Sequence, residues 1–509
     1  MNPLGRWWDP DQQRLQTLLR AIGPNPRNNA ANPKFQAAMA SFQQVRQAFD
    51  YTQFTFKRTL GWGGFGVALK YEQVDANQQH VAYAAVKVPR DGLPRITQAF
   101  EQEMKYYMAG FIAGLQGTLG CILTSFPFLL QRFEVSEHIP RLLHFPSDLT
   151  DEREDGTRAL PEGNDQFWTQ NSNLIPQAHF AMIMEYLEYG DFFELIYKLT
   201  DNYFENSVLQ LQGNTTSQKT EVVPNRTMWR FFLCLTRGCI AMAFPRKSEF
   251  QLERMIDSQR NPQTNRRRSA IVDRAWREEV DEGDFESHLI HKDLDPGNVF
   301  LGAPDPLDAE HSFAPVAKIA DFGLMYDAKK PHPDIAGVLR TGGKRSWHAP
   351  EQFEDAIYDG PESFGPWTNI YGIGLIMLSL ITRAKWAQSL QTWQFVPTPT
   401  RADPDRWCET YGWHLDEVRP WPGGLLGAAR SDQVTSFLNY YEKDLRVLDR
   451  PSLEELVQTI EAAIQRGNEQ EAQGASKEGE TNAELEAFYD QFFRSAPEQP
   501  DPWEGMYPP

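Results

Sequence analysis

The sequence predicts an α+β fold, with β-type runs crowded into the first 185 residues and apolar helical runs filling much of the rest. Two observations carry that expectation. Phe54 to Lys70 and Val81 to Val88 are rich in alternating β-branched and aromatic residues, and Phe180 to Met184 is a short buried-type strand. Downstream, Met228 to Phe244 is a strongly apolar helix, and Leu375 to Ile381 is an apolar run too short to span a bilayer. With 509 residues and 41% hydrophobic content, the chain can hold one large domain with extensions or up to three smaller ones.

Composition narrows the partners. A net charge of -19 argues against nucleic acid or anionic lipid as a general partner. Four cysteines, none in a C-x-x-C pair, fit a reducing compartment. Cys234 and Cys239 share one apolar helical stretch and read as buried thiols rather than metal ligands. No signal-peptide pattern and no lipidation box are present, so an intracellular, cytoplasmic or nuclear location is expected. Met108 to Leu130 is uncharged and long enough to cross a membrane, but its glycines, proline and polar residues point to a buried or partner-covered insert; no membrane span is expected.

Taken in order, residues 1–50 form a helical extension. Leu15, Leu18, Leu19 and Ile22 share one helical face, and Phe35, Met39, Phe42 and Phe49 share another. Such faces either pack on the neighbouring domain or serve as a partner-binding arm. Next, Leu60-Gly61-Trp62-Gly63-Gly64-Phe65-Gly66-Val67-Ala68 lies between two strands. Strand-turn-strand excludes the dinucleotide-binding reading of G-x-G-x-x-G, which needs strand-turn-helix. A glycine hairpin instead lets backbone N–H groups approach triphosphate oxygens. His138 to Leu143 reads as a further strand. Polar or charged inserts are expected near 146–176, 200–225 and 246–286, the last containing Arg266-Arg267-Arg268-Ser269. The acidic tail, 467–509, reads as mostly disordered. Inside it, 483–495 forms a short amphipathic helix through Leu485, Phe488, Tyr489, Phe492 and Phe493, which would dock on this chain or on another protein.

The chemistry concentrates in Leu289-Ile290-His291-Lys292-Asp293-Leu294-Asp295-Pro296-Gly297-Asn298-Val299-Phe300. Apolar ends, a carboxylate, a tight Pro-Gly turn and an amide suit a loop held by buried strands, with Asp293 and Asn298 facing one point. Lys318-Ile319-Ala320-Asp321-Phe322-Gly323-Leu324 then delivers a second carboxylate into a glycine turn, and Ala349-Pro350-Glu351 follows.

In this order the three motifs resemble the catalytic loop, the D-F-G turn and the A-P-E segment of eukaryotic-type protein kinases. The H-x-D-L-D-P-x-N loop is similar to that of a divergent filamentous-fungal group, and the resemblance covers roughly residues 54–466. It implies a two-lobed fold over 51–466, with a small β-rich lobe at 51–185 and a large helical lobe at 186–466. It also implies ATP and Mg2+ as cofactors and Ser or Thr of a protein substrate as acceptor. By the same resemblance Asp293 is the catalytic base, Lys87 holds the ATP phosphates, and Glu103, rather than Glu101, pairs with Lys87. Asn298 and Asp321 would ligate Mg2+. Leu60, Gly61, Gly63, Gly66, Ala68, Ala85, Met184, Glu185 and Leu187 would surround the nucleotide, with Met184 as gatekeeper. Glu351 and Arg450 would form a structural pair.

Four positions depart from the family pattern. Asp295 replaces a lysine, Lys292 replaces the arginine of H-R-D, Asn369 replaces an aspartate that holds the catalytic-loop backbone, and Lys344 stands where a threonine contacts the catalytic aspartate. Lys344 or Arg345 would supply the charge lost at Asp295, or Asp295 would turn away and cap the loop. These departures leave a nucleotide-binding pseudokinase scaffold as the alternative to an active kinase. Small-molecule kinases, which lack A-P-E and its arginine partner, fit less well.

Overall fold

The computed structural model describes residues 32–49, 54–64, 66–74, 80–90, 103, 136–140, 142–144, 181–213, 219–244, 278, 280, 287–305, 310–328, 335–352, 364–383, 394–397, 407–410 and 450–495. The readings of Leu15 to Ile22, Phe65, Glu101, Met108 to Leu130, 146–176, Arg266 to Ser269 and the chain beyond Ser495 lie outside these. The described chain mixes helix and strand and divides into two units, with one boundary between Glu185 and Tyr186.

The first unit is a sheet with a helix on one face. Helix α1 (Pro33–Phe49) precedes strands β1 (Phe54–Trp62), β2 (Gly66–Val74), β3 (His80–Pro89), β4 (Leu142–His144) and β5 (Met182–Glu185). The sheet order is β1-β2-β3-β5-β4, and the pairs β1/β2, β2/β3 and β3/β5 are antiparallel. Side chains alternate between the faces of a strand. Val67, Leu69 and Tyr71 of β2, Ala84, Val86 and Val88 of β3, and Ile183 of β5 therefore form one apolar face. Phe35, Ala38, Phe42 and Val45 of α1 are buried against it. Burial of each large side chain contributes on the order of 1.5–3 kcal/mol. Ser41 Oγ donates to the carbonyl of Arg90 at 2.8 Å and ties the helix to the end of β3.

The fourth strand corrects the sequence expectation. It begins at Leu142, whereas His138 to Pro140 lie in a turn. His138 belongs to the second unit because it is drawn into that interior: its carbonyl accepts from Ile319 N at 2.8 Å, and its ring meets Glu278 and His311. Glu103 also groups with the second unit, so the range 51–185 is not one contiguous body.

The second unit is built on α3 (Asn225–Ala243), every residue of which from Arg226 to Ala243 is buried except Arg230. Beside it stand α2 (Phe192–Leu211) and α5 (Pro366–Thr382). Two short antiparallel pairs carry the candidate loop: β6 (Leu289–Ile290) with β9 (Tyr326–Asp327), and β7 (Val299–Gly302) with β8 (Val316–Ile319). Helix α4 (Ile335–Arg340) follows β9, and β10 (Gln394–Pro397) pairs with β11 (Trp407–Thr410).

Helix α2 runs well past residue 200, where a polar stretch was expected to begin. The polar residues that suggest a loop are used by the helix. Thr200 and Ser207 hydroxyls bond back to the carbonyls of Ile196 and Tyr203, while Asn202 and Asn206 hold the returning chain at Thr220 and Lys219.

Over residues 467–495 the expected disorder is also corrected. Helix α6 (Leu453–Ala472) continues through it, begun by a Ser452–Glu455 capping box. Helix α7 (Asn482–Tyr489) has its own Thr481–Glu484 box and ends in a π turn, Asp490–Arg494. Glutamate and glutamine are good helix formers, and an acidic composition alone did not reveal them as such. The aromatic face folds back on its own chain. Tyr489 Oη lies 2.8 Å from Thr227 Oγ1, Lys198 Nζ donates to the carbonyl of Phe492 at 3.0 Å, and Phe493 packs on Tyr189 at 5.4 Å between ring centroids. The Glu480 carboxylate accepts from the backbone N–H of Asn225 and Arg226, capping the positive end of α3. Since Phe488 is only 2% exposed, Phe488→Ala is expected to destabilise the protein by about 3–5 kcal/mol in equilibrium denaturation. A change under about 1 kcal/mol would mean that the tail is not docked.

Candidate functional site

The face of the first-unit sheet opposite α1 carries a set of small and flexible side chains. Alternation places Ala68 of β2, Ala85 and Lys87 of β3, and Met182 and Met184 of β5 on it. Ala68 pairs across strands with Lys87, and Ala85 with Met184. Leu60 and Gly61 lie near the end of β1, Gly63 is exposed in the turn, and Gly66 opens β2. Gly63 N donates to Gly66 O at 2.9 Å and closes the hairpin. A Cβ on Gly66 would stand 2.7 Å from Val88 O, so only glycine lets β2 lie this close to β3. Glu185 ends β5. Leu187 is in the second unit, with Cδ2 3.1 Å from where a Cβ on Gly302 would sit. Glu103 is helical and 1% exposed.

In the second unit the loop between β6 and β7 is held at both ends. At its start the Asn369 carboxamide bridges two backbone groups: Nδ2 donates to Leu289 O at 2.8 Å and Oδ1 accepts from His291 N at 3.0 Å. At its end Asn298 O accepts from Ala320 N at 2.8 Å, which sets Asp321 beside Asn298 along the backbone. Asp321 has φ +65° and ψ +65°, a left-handed conformation that is costly outside glycine and marks a constrained turn. His291 is buried against Phe322, with ring centroids 5.2 Å apart, and its Nε2 lies 2.9 Å from Ala320 O. A carbonyl partner requires the proton on Nε2, so His291 is a structural clamp.

Asp293 and Asn298 meet as expected. Asn298 Nδ2 donates to Asp293 O at 2.6 Å and to Asp293 Oδ2 at 3.3 Å. That turns its Oδ1 the other way. Asp293 Oδ1 accepts from the backbone N of Lys344 at 2.9 Å. The close approach of that segment depends on Gly343, whose φ is +72° and whose Cβ would lie 2.1 Å from Lys292 O.

Asp295 takes the capping arrangement of the two that the sequence left open, and it also pairs with Lys344. Its Oδ1 accepts from Gly297 N at 2.8 Å, capping the turn, and its Oδ2 is paired with the Lys344 ammonium. The aspartate is fully buried, while the lysine is half exposed and also lies over the Phe193 ring at 5.7 Å. Burial pushes the Asp295 carboxyl up to about 6, opposed by the Lys344 charge and assisted by Asp293. Burial likewise raises Asp191, the N-cap of α2, to about 8, with Glu194 and Asp295 adding to the effect. Lys292 sits at φ +67°, and its ammonium donates to Val338 O at 2.6 Å. Burial lowers it to about 8.

Around the loop, Glu351 and Arg450 form a buried bidentate pair, with Nη1 to Oε1 at 2.9 Å and Nη2 to Oε2 at 2.7 Å. Thr368 Oγ1 donates to the same carboxylate at 2.7 Å, and Arg450 Nη1 also donates to Trp367 O at 2.9 Å. Most candidate residues thus fall into two groups, one on the first-unit sheet and one on the second-unit loop, while Glu103 and Leu187 belong to the second unit outside the loop.

A second cluster escaped sequence reasoning. His138, Cys234, Glu278 and His311 meet in the interior of the second unit. They lie far apart in the chain, in no motif spacing, so no local signal could have found them. Cys239 is the buried thiol expected from its apolar helix, and burial alone raises its pKa. Among the described residues no helix is long and apolar enough to cross a membrane. A scan against models of known protein families finds no match, and a search of curated proteins finds no relative.

Two outcomes are expected. Asn369→Ala removes two hydrogen bonds at a buried site and should cost about 2–3 kcal/mol, from losses of about 1 kcal/mol per bond plus the unpaired groups left behind; Asn369→Asp should destabilise as well, because it keeps the acceptor for His291 N but sets a buried carboxylate against Leu289 O. The second concerns pH. The raised carboxyls of Asp191 and Asp295 favour folding below their ordinary value of 3.8, and that contribution is lost as pH rises through about 6 for Asp295 and about 8 for Asp191. Asp191→Asn keeps a capping oxygen and removes the charge, so the fall in Tm between pH 3.8 and about 8 should become shallower. Parallel Tm curves for the two proteins would contradict the assignment.

Proposed function

We propose that this protein is a kinase of the two-lobed eukaryotic type, transferring the γ-phosphoryl group of ATP to Ser or Thr of a protein substrate. The reading rests above all on one observation: Asp293 and Asn298 share a hydrogen-bonded loop whose end is bonded to the residue before Asp321. The Glu351–Arg450 pair and the sheet face carrying Ala68, Ala85, Lys87 and Met184 support it independently.

The donor set fits a hard cation. Asp321 offers a carboxylate, and Asn298 turns its amide oxygen away from Asp293. Mg2+ held there would neutralise charge on the phosphates. Lys87, with Glu103 as its partner, would hold the α- and β-phosphates, and the backbone of Gly61, Gly63 and Gly66 would cradle them. Leu60, Met184, Glu185 and Leu187 would take the adenine. Asp293 would orient the acceptor hydroxyl and take its proton as the oxygen bonds to the γ-phosphorus and ADP leaves. The Lys344 backbone N–H on Oδ1 and the Asn298 amide on Oδ2 hold that carboxylate in one orientation.

Asp295 and Lys344 are read as an exchange of the family's lysine and threonine. The positive charge that usually projects from the loop comes instead from the facing segment, and Asp295 keeps it in place. The same substitution favours a second reading, a nucleotide-binding pseudokinase scaffold, because the ammonium is engaged by a buried carboxylate.

Transfer of labelled γ-phosphate from Mg-ATP to the protein itself and to a generic protein substrate separates the two. Asp293→Asn should reduce labelling by about 10²–10⁴-fold, the usual weight of a general base. Absent labelling in the wild type, with nucleotide still raising Tm, would establish the scaffold reading. Asp295→Lys and Lys344→Thr should each abolish turnover, and the double variant should restore it in part. Failure of the double variant to exceed either single one would sink the exchange.

A further inference from the structure

Three metal-ligating side chains converge in the second unit, away from the loop. We propose that His138, Cys234 and His311 form a buried site for a transition-metal ion, Zn2+, that ties together the turn at 136–140, helix α3 and the segment at 310–314. His138 and Cys234 are fully buried and His311 is 2% exposed. His138 Nε2 lies 3.2 Å from His311 Nε2, which lies 3.2 Å from Cys234 Sγ, and all three donor atoms are within 4.8 Å of one another.

Those separations are close to the edges of a coordination tetrahedron. With Zn–N near 2.0–2.1 Å and Zn–S near 2.3 Å, tetrahedral geometry sets N···N edges of about 3.3 Å and N···S edges of about 3.6 Å. Two imidazoles and one thiolate suit an ion of borderline softness and disfavour Mg2+ or Ca2+. The ligand set thus differs in kind from the oxygen donors of the loop.

The surroundings are those of a built site. His138 Nδ1 lies 3.0 Å from Glu278 Oε2, so the carboxylate directs the ring and leaves Nε2 for an ion. Glu278 is held in turn: Ser136 Oγ donates to it at 2.6 Å, Glu137 N at 2.9 Å, and its own carbonyl accepts from Arg237 Nη1 at 2.7 Å. A pocket lined by Arg230, Leu233, Glu310, His311 and Glu461 borders the cluster at His311.

The test uses the full chain. After gel filtration in metal-depleted buffer with Zn2+ supplied beforehand, elemental analysis should find about one zinc per chain. Cys234→Ser and His311→Ala should lose it, while Cys239→Ser, altered on the same helix, should keep it. Chelation should lower the wild-type Tm. Co2+ in place of zinc should give a thiolate-to-cobalt charge-transfer band, which reads the site in wild-type protein even if Cys234→Ser does not fold. Zinc retained equally by the Cys234 and His311 variants, or a folded wild type with no cobalt–thiolate band, would each overturn the proposal. In the last case the triad would be a hydrogen-bonded core cluster.

Discussion

The candidate loop depends on one carboxamide. Asn369, on the buried helix α5, gives its donor to Leu289 O and its acceptor to His291 N. A two-residue strand such as β6 cannot hold a loop by itself, since it shares a single short ladder with β9. The amide supplies the missing backbone partners from the core. Everything downstream inherits that anchor: the His291 ring on Phe322, the left-handed Lys292, and the Asp293 carboxylate between Lys344 N and Asn298 Nδ2. An aspartate at 369 would offer only acceptors. Asparagine satisfies both backbone groups with no buried charge, which explains how the substitution is accommodated.

Charge is handled by exchange rather than removal. A buried carboxylate at 295 without a partner would be costly, since a unit charge pair at 4 Å is worth about 4 kcal/mol at an effective dielectric near 20. The structure meets this twice over, with the turn N–H of Gly297 and the ammonium of Lys344. Lys344 remains half exposed, so the pair itself adds little to stability. Its consequence is positional: one segment is drawn to the loop, and Gly343 makes the approach sterically possible. The Glu351–Arg450 pair is different, buried on both sides and bidentate, and it joins the segment after Ala349 to the start of α6.

Much of this was legible in the sequence because the relevant physics is local. Alternation marked β1 to β3, the apolar face of Phe35, Met39 and Phe42 marked α1, and the residues flanking the Pro-Gly turn marked the loop. The pairing of Glu351 with Arg450 followed from family resemblance, since nothing local links residues so distant. Composition misled where a polar residue had a tertiary partner. Asn202 and Asn206 suggested a loop but hold the returning chain, and the acidic run after 467 suggested disorder but forms helix packed against α3. His138 looked like the start of a strand because its apolar neighbours extend into one.

By itself the sequence determined strands β1 to β3, helices α3 and α5, the glycine hairpin, and a loop bearing Asp293 and Asn298, because periodicity, turn chemistry and spacing act over a few residues. Only the tertiary structure decided what Asp295 does, which partners hold Asn369, where the aromatic tail docks, and that His138, Cys234 and His311 meet. Each of these depends on side chains brought together from distant segments by burial of the apolar faces of α3 and its neighbours, and no spacing along the chain encodes that meeting.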